Sequence, residues 1–148
     1  MGIPSASVNQ TPPVSIDQAN AVVTGQFTVA GVAAGGGLQF SPIFSPWGPF
    51  NLLLWGSNSA PPNGNWNGSA QLERSFDGGT TWLVCGLGGA GQQAIWATNN
   101  QDVSVVFGEP ERGVLYRVHC TALVTGPLNY RLSASGGAAM SLANPSPT

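Results

Sequence analysis

Residues 114–123 read VLYRVHCTAL and residues 128–133 read LNYRLS. Apolar side chains fall on every second position: Val114, Tyr116, Val118 and Cys120 in the first run, Leu128, Tyr130 and Leu132 in the second. A period of two sends one set of side chains to one face of a strand and the intervening set to the other. Both runs therefore predict β-strands. The same pattern recurs outward from them. In 22–30, VVTGQFTVA, Val23, Phe27 and Val29 oppose Thr24, Gln26 and Thr28. In 49–56, Phe50, Leu52 and Leu54 share a side. In 69–76, Ala70, Leu72 and Phe76 share one face while Gln71, Glu73 and Ser75 point outward. Shorter runs lie at 37–40, 80–85 and 103–107. No segment keeps a 3.6-residue period, and no repeat of solenoid or propeller length is present. About eight short strands with turn signals between them predict an all-β chain, a single antiparallel β-sandwich or jelly roll over 21–134. Residues 1–20 read as an extended N-terminal arm and 135–148 as a flexible or extended C-terminal tail. The connections 41–49, 56–68 and 86–101 are rich in Gly, Pro and Asn, and the last two exceed ordinary hairpin loops.

Composition narrows the function. Only 7% of the 148 residues are charged, and none is lysine. Residues 18–72 carry no formal charge at all. Four Arg against six acids do not form the basic stripe that a nucleic-acid binder needs. A net charge of −2 with 42% apolar residues is not the signature of a disordered chain. Ordinary surfaces are roughly a quarter to a third charged. Here the surface must be Ser, Thr, Asn, Gln and Gly, or be covered by other subunits, and low charge favours the second. MGIPSASVNQTPP lacks the basic and apolar regions of a secretory signal, and 21–40 is too rich in Gly and Gln for a membrane span. No membrane partner and no cofactor are expected.

The sharpest local motif is Ser75-Phe76-Asp77-Gly78-Gly79-Thr80-Thr81-Trp82. It fills every fixed position of the Asp-box, S-x-D-x-G-x-T-W, and resembles the hairpins that recur once per blade in sialidase-like propellers. A single copy in a short chain reads as a structural hairpin. Asp77 accepts turn N–H groups, Gly78 and Gly79 supply positive φ, and Trp82 anchors the returning strand. Sialidase chemistry needs an arginine cluster and a Tyr nucleophile, which four scattered Arg do not provide. His119, the only histidine, reads as a half-exposed sheet residue beside Arg117. Cys85 and Cys120 read as buried free thiols in preference to a disulfide, since nothing signals export. Glu109 and Glu111 read as a solvated acidic turn. No catalytic or metal-binding constellation is expected.

Of the five Trp, Trp55 and Trp82 fall on strands and are expected to pack in or over the sheets. Trp66 and Trp96 fall in long loops, and Trp47 lies between two prolines. Loop tryptophans serve best as subunit anchors. Local packing comes next, and stacking on sugar rings last. The candidate subunit contacts are Trp47, Trp66 and Trp96, with Pro12 and Pro13 of the arm.

The blocks LLWG (53–56), AQLERSFDGGTTW (70–82), EPERGVLYRVHC (109–120) and NYRLS (129–133) occur in that order. Together they resemble small all-β structural proteins of tailed-bacteriophage virions and prophages, over about residues 22–134. The resemblance implies a non-enzymatic virion component assembled in the bacterial host cytoplasm. The form expected is a capsid decoration or cement protein, bound to the major capsid protein, to copies of itself, or to both, with a trimer as one candidate assembly. The alternative is a tail or fibre component with a glycan-binding β module. A glycoside hydrolase is the remote third reading.

Overall fold

The computed structural model describes residues 21–56, 66–87, 90–97, 102–135 and 137–139. The arm 1–20, with Pro12 and Pro13, lies outside them, as does most of the tail. Among the described residues ten strands form: β1 (Ala21–Phe27), β2 (Phe44–Pro46), β3 (Gly48–Gly56), β4 (Asn67–Ser75), β5 (Leu83–Val84), β6 (Ile95–Ala97), β7 (Val103–Glu109), β8 (Leu115–Thr125), β9 (Leu128–Ala134) and β10 (Gly137–Ala139). A short helix, α1 (Val29–Ala34), and a 3-10 turn at Gly36–Gln39 join β1 to β2.

The alternating runs assemble into two antiparallel sheets. One has four strands in the order β1-β9-β3-β7. The other has six, in the order β10-β2-β8-β4-β5, with β6 also pairing to β4. From β1 to β4, and again from β6 to β10, each strand lies in the sheet opposite its predecessor. That order is a jelly roll. The sheets face each other through the apolar sets read from the sequence. Leu52, Leu54, Leu128 and Leu132 on one side and Leu72, Val118 and Cys120 on the other are fully buried. Burying a Leu or Val side chain contributes roughly 1.5–3 kcal/mol. Phe44, Phe50, Phe107 and Tyr116 form an aromatic cluster, with Phe50 at 4.7 Å from Tyr116 and 5.6 Å from Phe107 between ring centres. Gly25 sits opposite Tyr130 across the β1–β9 ladder, and a Cβ there would fall on the Tyr130 ring. Glycine is thus what lets this ring lie over the edge strand.

Several local expectations are corrected. β1 stops at Phe27, not at residue 30, because Thr28 caps α1 by accepting a hydrogen bond from the Gly31 N–H on its Oγ1 (3.0 Å). Six helical residues are too few to register a 3.6 period, so the helix left no trace in the pattern. Val29 is accordingly exposed. Phe76 does not join Leu72 in the core. The strand ends at Ser75 and the turn leaves Phe76 54% exposed. The connection 41–49 contains β2 and the start of β3, and 86–101 contains β6. Gly137–Ala139, inside the expected tail, pairs with β2.

Trp66 is the largest correction. It was expected in an exposed loop and is 1% exposed, inside the core at the entry to β4. Trp47 is 48% exposed, with the Arg112 guanidinium 3.7 Å above its ring. Trp66→Ala should therefore lower the unfolding free energy by about 3–5 kcal/mol in urea titrations, while Trp47→Ala should change it by about 1 kcal/mol or less.

Candidate functional site

The β4–β8 ladder sets Glu73 directly opposite Arg117 and Gln71 directly opposite His119. Directly opposed residues share a face, so all four side chains meet on the outer side of the six-stranded sheet. Glu73 Oε1 accepts a hydrogen bond from Arg117 Nε (2.7 Å), and Oε2 accepts one from Gln71 Nε2 (2.6 Å). His119 Nδ1 lies 2.8 Å from the same Oε2, and with its proton on Nδ1 it donates to that acceptor-only oxygen. Glu73 was expected to point out into solvent. It does face outward, yet it is 5% exposed, with Arg117, His119 and Gln71 bonded to it. Burial alone would raise its pKa. The hydrogen bonds from Gln71, His119 and Arg117 outweigh burial and hold the carboxyl below its usual value.

Two aromatic rings complete the cluster. The Arg117 guanidinium lies 3.9 Å from the centre of the Phe40 ring and 4.1 Å from that of Trp82. Phe40 also packs on the His119 ring at 4.3 Å. Contacts of this kind are worth roughly 0.5–2 kcal/mol each.

The Asp-box hairpin explains how Trp82 reaches Arg117. Asp77 Oδ1 accepts from the Thr81 N–H (2.8 Å), the Thr80 N–H (3.1 Å) and the Ser75 hydroxyl (2.8 Å). The Gly79 N–H donates back to Ser75 Oγ (2.9 Å), and Trp82 Nε1 donates to the Gly79 carbonyl (3.0 Å). Gly78 and Gly79 have φ of 74° and 97°, a region glycine occupies without strain. Ser75, expected outward, is buried because its hydroxyl is tied into this turn. The bond from the Thr81 backbone leads the group that lowers the Asp77 pKa to about 2.

Glu109 is also corrected. It was expected on a solvated turn and is 1% exposed. Its Oε1 accepts from Arg74 Nη2 (2.9 Å) and the Tyr116 hydroxyl (2.6 Å), and its Oε2 from the Glu111 N–H (2.9 Å). Burial, then the bond to Glu109, raises the Tyr116 pKa. Glu73 and Glu109 lie on opposite faces of the β4–β8 ladder and do not face one another across a cleft, as a glycosidase pair must. Cys85 and Cys120 are buried free thiols, and desolvation pushes them up to about 12 and about 11. Both are therefore protonated and poor nucleophiles. Among the described residues, no group of three or more His, Cys, Asp and Glu side chains gathers to hold a metal.

The outward face of the four-stranded sheet is of a different kind. Val22, Ser133, Asn51 and Val106 form one row across it; Thr24, Arg131, Leu53 and Ser104 form the next; Gln26, Asn129 and Trp55 form a third. Arg131 is the one charge in these rows, and it bonds to Ser133 Oγ (2.9 Å). A depression of about 420 Å³ opens there, lined by Val22, Asn51, Val106, Arg131 and Ser133 among others. Of the tryptophans expected at subunit contacts, Trp47 is exposed, Trp96 is half-buried against the core, and Trp66 is inside it. Sequence reading missed Phe40 altogether. It did not connect Glu73 to Arg117, although an acid on the outward face of one strand and a base on that of another were the available signal. Comparison with family models, with curated proteins and with solved structures returns no match.

The arrangement makes both carboxylates structural clamps, which sets their pH dependence. Glu73 and Asp77 each have a folded pKa below the unfolded value, so their stabilisation is complete above the unfolded values, 4.5 and 3.8. It is lost as pH falls through the folded ones, reaching about 2 for Asp77. Urea midpoints should therefore fall on acidification below about pH 5, with a shallower fall in Asp77→Asn. Glu73→Gln should cost about 1–3 kcal/mol at neutral pH.

Proposed function

We propose that the chain is a non-enzymatic structural protein of a tailed-bacteriophage virion, present in many copies and decorating or cementing the capsid surface. The observation that carries this reading is the outward face of the four-stranded sheet. Arg131 is its one charge, and Val22, Leu53, Trp55 and Val106 lie between neutral polar side chains. A soluble surface that is so weakly charged is best accounted for by coverage in an assembly. The charge-free span 18–72 supplies β1, β2, β3 and the first part of β4. The family resemblance of the sequence points the same way. Jelly rolls also build viral capsid proteins, which supports the reading by analogy of fold alone.

In this reading the major capsid protein and further copies of the chain are its partners, and the particle, assembled in the bacterial host cytoplasm, is its location. The arm 1–20 and the exposed Trp47 are the proposed contacts. The tail or fibre alternative drew on Trp66 and Trp96 as sugar platforms, and Trp66 is buried in the core and offers no face to a sugar. Two measurements on purified particles test the proposal. The copy number should approach that of the major capsid protein, whereas a handful of copies per particle would move the chain to the neck, tail or fibre. Deleting residues 1–20 should abolish attachment and leave the thermal unfolding of the β domain unchanged; normal occupancy by the truncated chain would sink the arm model.

A further inference from the structure

β7 ends the four-stranded sheet, and among the described residues it pairs with β3 alone. An end strand leaves alternate backbone N–H and C=O groups of its free side unpaired, which makes it a template for another strand. The other long or short ends are blunted. β5 and β10 have two and three residues, and β1 lies against β2 and β10 at the corner of the sandwich. β7 runs seven residues in unbroken register with β3. From Val103 to Gly108 it has no proline, no charge and no bulge, the features that usually protect an edge. Its side chains add a second observation. Val105 and Phe107 face the core yet are only partly buried, and Val106 faces outward and is 69% exposed. The open edge is thus apolar on both of its faces.

We infer that β7 pairs antiparallel with β7 of a second copy of this chain, about a twofold axis at Val106. This joins two four-stranded sheets into one. In that register Val106 stands opposite the partner's Val106. Val105 stands opposite the partner's Phe107 on one side of the axis, and the same pair repeats on the other. Aromatic and β-branched side chains directly opposed stabilise a ladder. Ser104 meets the partner's Gly108, where nothing crowds it. No like charges are opposed, because Glu109, the one charge in β7, stands opposite the partner's Val103. β1, at the other end of this sheet, has β2 and β10 packed close to it, and self-pairing of β7 about a twofold axis closes a dimer without calling on β1. The neutral outward rows then run on across both copies.

The pairing is a property of the purified chain, so it stands or falls separately from attachment to a particle. Sedimentation velocity of the full chain over a concentration series should show a dimer, with slow hydrogen exchange at the β7 amides. Val106→Lys sets two ammonium groups side by side at the axis. At concentrations where the parent is dimeric it should sediment as a monomer, with the same circular dichroism spectrum and with fast-exchanging β7 amides. Val106→Thr, which keeps a β-branched side chain, should remain dimeric. A monomeric parent at every concentration would overturn the inference, as would any oligomer, a trimer included, that survives Val106→Lys.

Discussion

Two carboxylates buried in a sandwich with few charges set the register of its longest ladder. An ionised carboxylate out of water is tolerated only where cations and donors meet it. Glu73 meets Arg117 on the outer face of the six-stranded sheet, and Glu109 meets Arg74 at the inner one. Glu73 and Arg74 are adjacent on β4 and point to opposite sides. A slip of β4 by one residue against β8 would swing Arg74 toward Arg117 and carry Glu73 into the apolar interior. Both carboxylates would then lose their partners together. The period-two core would tolerate that slip no better, since it inverts the apolar face of β4 as well. Charge pairing and apolar burial thus select the same alignment.

The Asp-box hairpin belongs to this arrangement. Here its bonds from Asp77 and Ser75 fix the turn, and the turn delivers Trp82 onto Arg117. The crossover through α1 brings Phe40 to the same guanidinium. Arg117 is therefore held by a carboxylate beneath and by rings contributed from two separate connections. Glu73, Arg74 and Arg117 thus lie on the six-stranded sheet, with Asp77 in the hairpin that leaves it. The outward face of the four-stranded sheet is left almost neutral, and among the described residues its end strand β7 pairs on one side only. The proposed contacts with other chains rest on this difference between the two sheets.

Much of the fold was legible in the residues. The alternation in 114–123 and 128–133 became β8 and β9, with Val118, Cys120, Leu128 and Leu132 buried as the parity required. The hairpin at Ser75–Trp82 was legible because its bonds are local, within eight residues. What failed to show depended on distant partners. Glu73 looks like any outward acid on a strand until Arg117 and His119, more than forty residues later, are set opposite it. Trp66, amid Asn and Gly, looks like loop until the entry to β4 turns it into the core. Phe40 gives no signal of its own, because its role exists only through the crossover that lays it on β8.

The sequence by itself determined the all-β class, the inward and outward sets of most strands, the Asp77 turn and the scarcity of charge. These follow from local geometry, where a strand's faces are fixed by the parity of its residues. The tertiary structure alone decided the jelly-roll order of the strands, the burial of Glu73, Glu109 and Trp66, and which strands end each sheet among the described residues. These depend on contacts between residues far apart in the chain, and parity along one strand carries no information about which strand will lie beside it.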